Sequence, residues 1–237
     1  MYLEMKKSAP FQFKQFSVAH DKCAMKVNTD GILLGAIADV SNVQRILDMG
    51  TGSGLIALML GQRTEERCQI MALELEENAY QQAVENVKNS AWTARIKVIH
   101  GDVMNTSFLE KFDLIVSNPP YFSQSLATRN PQRDLARTVV QSHLDWLNQA
   151  RKWLSETGKI TFILPVDAGD KLIQETTLHC ISRWLISPKV NSLPKRMIVT
   201  FSPTFAPCQE ERLTIYQQDQ QYSEAFKYFT REFYLNM

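Results

Sequence analysis

From about residue 45 the chain alternates short apolar runs with longer stretches of helical spacing. "RILDM" (45–49), "QIMALE" (69–74), "RIKVIHGD" (95–102), "FDLIVS" (112–117), "GKITFILP" (158–165), "ISRWLIS" (181–187) and "RMIVTFSP" (196–203) are each strand-length. Near-continuous apolar character of this kind is what strands covered on both faces require. "GLIALMLGQR" (54–63), "ENAYQQAVENVKNS" (77–90) and a stretch around 140–155 read as helices. Strands alternating with helices of this length predict βαβ units and a mostly parallel seven-stranded sheet. Right-handed crossovers then place helices on both faces. The expected fold class is α/β, Rossmann-like.

Two parts lie outside this rhythm. Residues 1–44 begin with the alternating strand pattern "FQFKQF" and pass to "NTDGILLGAIA", where Thr29 or Asp30 is a candidate helix cap. The C-terminal "YSEAFKYFTREFYLNM" reads as an amphipathic helix with Ser223 as N-cap and an aromatic stripe suited to core packing. One domain over 1–237 is expected, with an N-terminal extension (1–44), a core (45–205) and a closing strand and helix (206–237).

Composition adds exclusions. With 237 residues, 44% hydrophobic and 22% charged, the chain is long enough to bury a sizeable core. A net charge of +1 excludes a globally basic nucleic-acid binder, so any such surface is local. Cysteines at 23, 68, 180 and 208 have no CxxC spacing and no accompanying histidine cluster, which argues against zinc and against a disulfide framework. The N-terminus lacks the apolar region of a signal peptide, and the run "GLIALMLG" is far short of a membrane span. A soluble, cytoplasmic, metal-free protein is expected. His20, His100, His143 and His179 share no ligand spacing; roles for His20 and His143 stay open.

The first strand runs into Asp48-Met49-Gly50-Thr51-Gly52-Ser53-Gly54. Glycines here let the backbone turn tightly and approach a ligand, with a helix N-terminus just beyond. The spacing is GxGxG, not the GxGxxG of dinucleotide sites, and an acid precedes it. A carboxylate at that place repels a pyrophosphate and attracts an amino or cationic group. Glu74 ends the second strand, where a carboxylate can hold a ribose diol in bidentate fashion. Asp102 ends the third, where it can accept from an adenine amino group. A nucleoside carrying an amino acid, S-adenosyl-L-methionine, fits these acids at the carboxyl edge of a parallel sheet.

The fourth strand ends on Asn118-Pro119-Pro120-Tyr121. Proline stops strand and helix alike, but a stop needs only one. An exocyclic amine on adenine is a poor nucleophile because its lone pair is delocalised into the ring. Two acceptors aimed at its N–H groups favour the tetrahedral geometry that attack requires, and the Asn118 side-chain oxygen and the Pro119 carbonyl can supply them. The following proline confines Asn118 to extended conformations, and Pro120 stiffens the turn. Tyr121 offers a face on which an extruded base can stack. Transfer of a methyl group then needs alignment more than an acid or base.

"LDMGTGSG" with "SNPPY" resembles the class I methyltransferases that act on planar amino groups. The blocks "FKQFSVAHDKCAMKVNTDGILLGA", "ATRNPQRDLAR", "PKRMIVTFSP" and "YSEAF" are similar to the bacterial tRNA(adenine-N6)-methyltransferase family, over nearly the whole chain. The resemblance implies methylation of the adenine beside the anticodon, position 37 of a valine tRNA. It also implies that Asp48, Gly50, Gly52 and Gly54 line the methionine end of the cofactor, with Glu74 on the ribose and Asp102 on the adenine. In the same pattern "KVNTDGILLG" closes over the methionine through Lys26 and Thr29.

Candidate phosphate contacts are Arg129, Arg133 and Arg137 at four-residue intervals, then Lys195 and Arg196, and Lys14 with Lys6 and Lys7 near the N-terminus. Enzymes that methylate protein glutamine or ribosomal RNA bases use the same tetrad. Glutamine enzymes carry a helical domain before the glycine turn, and only 47 residues precede Asp48 here. DNA adenine enzymes need a target-recognition region for which there is little room. A non-catalytic RNA-binding module would be expected to lose the tetrad or the acids, and this chain keeps all of them.

Overall fold

The apolar runs become strands of one sheet in the computed structural model, which describes residues 9–120 and 142–236. A small hairpin, β1 (Phe11–Gln12) and β2 (Ser17–Val18), leads to α1 (Thr29–Ile37). There follow β3 (Arg45–Met49), α2 (Leu55–Arg63), β4 (Gln69–Glu74), α3 (Glu77–Lys88), β5 (Ile96–His100) and β6 (Phe112–Ser117). The second half carries α4 (His143–Trp153), β7 (Leu154–Pro165), α5 (Val166–Glu175), β8 (His179–Lys189), β9 (Arg196–Ser202), β10 (Gln209–Tyr216) and α6 (Glu224–Thr230).

The sheet order is β5-β4-β3-β6-β7-β9-β8-β10, and only β9 runs against its neighbours. The count of seven strands is corrected to eight. β10, from the closing segment, pairs parallel to β8 with Leu213 opposite Ile186. Only Leu213 of β10 is buried, so this edge strand has no apolar run to announce it. α5 was likewise unannounced, since it buries only Gly169 and Leu172.

Alternation along each strand divides the core. Ile46, Leu114, Ile163 and Ile198 face one layer with α1, α2 and the C-terminal helix. Leu47, Ile115, Phe162 and Met197 face the other, with Leu147 and Trp153 of α4. Burying one such side chain contributes roughly 1.5–3 kcal/mol, which is why runs apolar on both faces are tolerated only here. Asn28, not Thr29 or Asp30, caps α1: its side chain accepts from Gly31 N at 2.9 Å while its backbone stays extended. Ser223 caps α6 as expected, and the aromatic stripe is core, with Phe226 and Phe233 buried beside Tyr234 and the N-terminal hairpin.

Among the described residues no helix is long and apolar enough to cross a membrane, and no group of His, Cys, Asp or Glu is placed to hold a metal ion. The cysteines are free thiols. From β3 the chain steps outward to β4 and β5, then returns to lay β6 on the other side of β3. That reversal is a topological switch point, where open α/β sheets leave a crevice at their carboxyl ends.

Candidate active site

β3 opens into the glycine turn at this crevice. Gly50, Gly52 and Gly54 have φ of +70°, +56° and +83°, the left-handed region that a side chain disfavours. At Gly52 an added Cβ would meet nothing within 4 Å, so the backbone there fronts open space. Asp48 does not reach that space. It is fully buried, and its Oδ2 accepts from Thr51 Oγ1 at 2.5 Å and from Ala57 N at 3.1 Å. It thus holds the turn against the first turn of α2, whose amides have no intrahelical partner. Burial pushes its pKa up to about 7, against the lowering effect of those two bonds, and the Glu74 charge adds to the rise.

A cavity of about 360 Å³ lies in front of the turn, within the roughly 300–1,000 Å³ of small-molecule sites. Leu55, Ile56, Val103 and Trp146 give it apolar walls; Glu74 and Asp102 give it acidic ones. Glu74 is held by three backbone amides: Gly52 N at 2.8 Å on Oε2, and Leu75 N and Glu76 N at 3.0 and 2.9 Å on Oε1. A carboxylate has about four acceptor positions, so the one left for a ligand hydroxyl is on Oε2. Asp102 lies two residues past the end of β5 and accepts from Met104 N (2.9 Å) and Asn105 Nδ2 (2.7 Å).

The opposite wall is the segment before α1. Its course is set by α3: Asn86 and Gln82, both buried, accept from Ala19 N at 3.0 Å and Lys22 N at 2.9 Å. Asn86 also donates to Ser53 O at 2.8 Å, joining this segment to the glycine turn. His20 Nδ1 accepts from Val27 N at 3.1 Å and closes the loop that presents Met25 and Lys26. Lys26 lines the cavity; Thr29, as first residue of α1, does not.

β6 delivers Asn118 and Pro120 to the same cavity, while Pro119 between them is buried and not among its lining residues. Asn118 Nδ2 approaches Met25 Sδ at 3.5 Å. Just before it, Ser117 Oγ donates to Met49 O at 2.6 Å and accepts from Trp146 Nε1 at 3.0 Å, so α4 ties the ends of β3 and β6 together. His143 stands at the start of α4, where burial keeps its imidazole below the usual 6.5.

The structure therefore brings Gly50, Gly52, Glu74, Asp102, Lys26, Asn118 and Pro120 to one cavity. Asp48 and Gly54 stand behind it, Gly54 as the N-cap of α2. The expected basic residues scatter. Tyr121, Arg129, Arg133, Arg137, Lys6 and Lys7 lie outside the described residues. Arg196 opens β9 and pairs with Asp30 of α1 at 2.7 Å. Lys14 Nζ donates to Arg231 O at 2.6 Å, tying the N-terminal hairpin to the C-terminal helix. Lys195 is exposed in the β8–β9 turn, and because Arg196 pairs with Pro165 that turn sits at the carboxyl edge of β7. Gln82, Asn86, Ser117, Trp146 and Met25 were not anticipated. Only the first two carried a signal, polar residues four apart on the otherwise apolar face of α3.

Residues 27–173 match the Methyltransferase small domain family. A protein of Actinobacillus pleuropneumoniae serotype 5b (strain L20), named tRNA1(Val) (adenine(37)-N6)-methyltransferase, is 60% identical over 98% of this chain and all of its own length. A protein of the same name from Haemophilus influenzae (strain PittEE) is 51% identical, over 95% of this chain and 98% of its own. Among solved structures, one described as a predicted O-methyltransferase, Atu636 from Agrobacterium tumefaciens, superposes with a TM-score of 0.68 at 20% identity, over 86% of this chain and 96% of its own. That likeness is one of fold.

Proposed function

The chain belongs to the tRNA1(Val) (adenine(37)-N6)-methyltransferase family, and from that premise we propose that it methylates the exocyclic N6 of adenine 37 in a tRNA, with S-adenosyl-L-methionine as donor. The observation that carries this reading is the meeting of Asn118 with the glycine turn across one cavity. The donor supplies a methyl group on a sulfonium, which needs no acid to leave.

The cavity suits such a donor on three counts: its volume, the open space before Gly52, and the acids Glu74, Glu76 and Asp102 set against the single base Lys26 in its lining. Glu74 Oε2 accepts from a ribose hydroxyl, and Asp102 accepts from the adenine amino group. Lys26 and the Gly50–Gly52 backbone hold the amino-acid end. Asp48 acts one step back, by fixing the turn through Thr51 and Ala57. At Asn118 the amide NH2 rests on the Met25 sulfur, which leaves Oδ1 as the acceptor for the target N6–H. The Pro119 carbonyl is the second acceptor, and Tyr121 is the proposed stacking face. With both acceptors rigid before substrate arrives, little reorganisation remains for the chemical step.

For the RNA, Lys195, at the carboxyl edge of the sheet, is the proposed phosphate contact, together with Arg129, Arg133 and Arg137. Arg196 and Lys14 serve the fold first, through Asp30 and the C-terminal helix.

Purified protein, labelled S-adenosyl-L-methionine and unmodified bulk tRNA, followed by nucleoside digestion and mass analysis, test the reading. N6-methyladenosine at position 37 of one tRNA species is the expected result. Label in ribosomal RNA or protein but none in tRNA would overturn the target while leaving the donor site in place.

A further inference from the structure

The four cysteines carry no spacing signal, yet the sheet brings two of them together. Cys180 Sγ lies 3.4 Å from Cys208 Sγ, 28 positions away in the chain. A bulge in β8 accounts for the meeting. Cys180 opposes Phe201 of β9 and Ser182 opposes Thr200, so Ile181 is an extra residue between consecutive pairs. In an unbroken strand Ile181 would precede Ser182 on the opposite face, and Cys180 would share the face of Ser182. The extra residue puts Cys180 in the place of Ile181. On the other side of β8, Gln209 of β10 is opposite Ser182, so Cys208, one residue earlier, falls beside that place and on the same face. Neighbouring strands are about 4.8 Å apart, within the Cα separation that a disulfide spans.

The two thiols differ in access. Cys208 is exposed, and Cys180 is half-buried against the layer that holds Phe201. Arg183 of β8 pairs with Glu210 of β10 at 2.5 Å, and charge on either cysteine favours its guanidinium, so the thiols sit beside a fixed cation. Burial and the neighbouring Cys208 push the Cys180 thiol up to about 12, while Arg183 pulls it down. Once Cys208 is bonded to another sulfur, its share of that rise is gone, and Arg183 acts on Cys180 against burial alone.

We propose that Cys208 and Cys180 are a modification site for small disulfides such as oxidised glutathione, with Cys208 the first thiol to react and Cys180 the one that resolves the adduct into an internal disulfide. The Cys208 thiolate attacks one sulfur of the oxidant and breaks its S–S bond; one glutathione leaves as a thiolate and takes up a proton. The Cys180 thiolate then attacks the Cys208 sulfur, and the second glutathione leaves in the same way. Two protons and two electrons pass from the cysteines to the oxidant, and one S–S bond joins β8 to β10. In a reducing compartment such a link is transient rather than structural. It clasps the edge strand at the amino end of β8, whereas the cavity opens at the carboxyl ends of the strands, so its effect falls on stability.

The full chain is incubated in buffers of rising glutathione disulfide to glutathione ratio, quenched in acid, alkylated, and read by intact mass and peptide mapping, with thermal melting alongside. Expected for wild type is loss of two of the four thiols and a cross-link between the Cys180 and Cys208 peptides that dithiothreitol reverses. Closing the loop should raise Tm by about 5–15 °C. Cys180→Ser should stop at a mixed disulfide with glutathione on Cys208, and Cys208→Ser should take up far less glutathione and gain no Tm. A wild type that keeps all four thiols, oxidises first at Cys23 or Cys68, or holds glutathione on Cys208 without closing the link overturns the inference. So does a cross-link that lowers Tm, or a Cys208→Ser variant that gains Tm as wild type does.

Discussion

Asp48→Asn tests the role of the buried acid through its pH dependence. Asp48 is fully buried; Oδ2 receives two hydrogen bonds, and Oδ1 has no hydrogen-bond partner among the described residues. Asparagine keeps an oxygen for Thr51 and Ala57 and puts its amide where Oδ1 stood. Burial raises the carboxyl from 3.8 to about 7 in the fold. Between those values the folded protein keeps a proton that the unfolded chain has released, so stability falls as pH rises. The contribution of this group is fully present below the unfolded value and lost as pH passes through the folded one. At about 1.4 kcal/mol per tenfold, the whole gap is worth about 4 kcal/mol, of which about 2 to 3 kcal/mol falls between pH 5 and pH 8. For a chain of this size that is a Tm change of about 5 to 10 °C. The assay is thermal unfolding of ligand-free wild type and variant from pH 5 to 8, read as the difference between the two so that other titrating groups cancel. The Tm advantage of the variant should grow with pH. A constant offset, or an advantage that shrinks, would refute the reasoning and mean that the carboxylate is ionised at little cost in the fold.

Four further substitutions separate the remaining roles. Asn118→Ala should lower single-turnover transfer about 10²- to 10³-fold while leaving S-adenosyl-L-homocysteine affinity nearly intact, as calorimetry would show; loss of both together would make Asn118 structural. Gly52→Ala should cost only about 1–2 kcal/mol of stability, the left-handed backbone being its one internal strain, yet markedly weaken cofactor binding, because its methyl enters the open space. An unchanged Kd would take that backbone out of the binding surface. Arg196→Ala, which breaks the pair with Asp30 beside the cavity wall, should lower Tm and cofactor affinity more than tRNA affinity, and Lys195→Ala should do the reverse, with a shallower salt dependence in filter-binding titrations. Reversal of that pattern would return Arg196 to the RNA surface.

The parts of this fold legible beforehand were those whose signal is local. Strands β3, β4 and β6 were bounded to the residue because their runs are largely apolar, and a turn signal follows β3 and β6. A closing strand was expected within 206–237, but the bounds of β10 and its place as an eighth strand of the sheet were not legible, because it buries one side chain, Leu213, at an edge where polar residues are as stable as apolar ones. α1 was placed one residue off because Asn28, Thr29 and Asp30 are all competent caps, and only Asn28 has the extended backbone that a cap needs.

Within the site the same division holds. Gly50, Gly52, Glu74 and Asn118 announced themselves through spacing and strand position, since turns and strand ends dictate residue type on their own. Asp48 was read as a ligand contact because a carboxylate before a glycine turn has two possible partners, a ligand or the turn itself. Only the burial of its side chain chose the turn. Arg196 was read as an RNA contact because a charge in sequence carries no record of its partner, and Asp30 lies 166 positions away. The sequence by itself determined the strands, the flexible turn and the stiff acceptor turn, all of which depend on residues within a few positions of each other. Tertiary structure alone decided that β6 should lie against β3 rather than beyond β5. That choice of neighbour closes a cavity between Gly52 and Asn118, 66 residues apart in the chain, and lets Trp146 of α4 tie the ends of β3 and β6 together through Ser117.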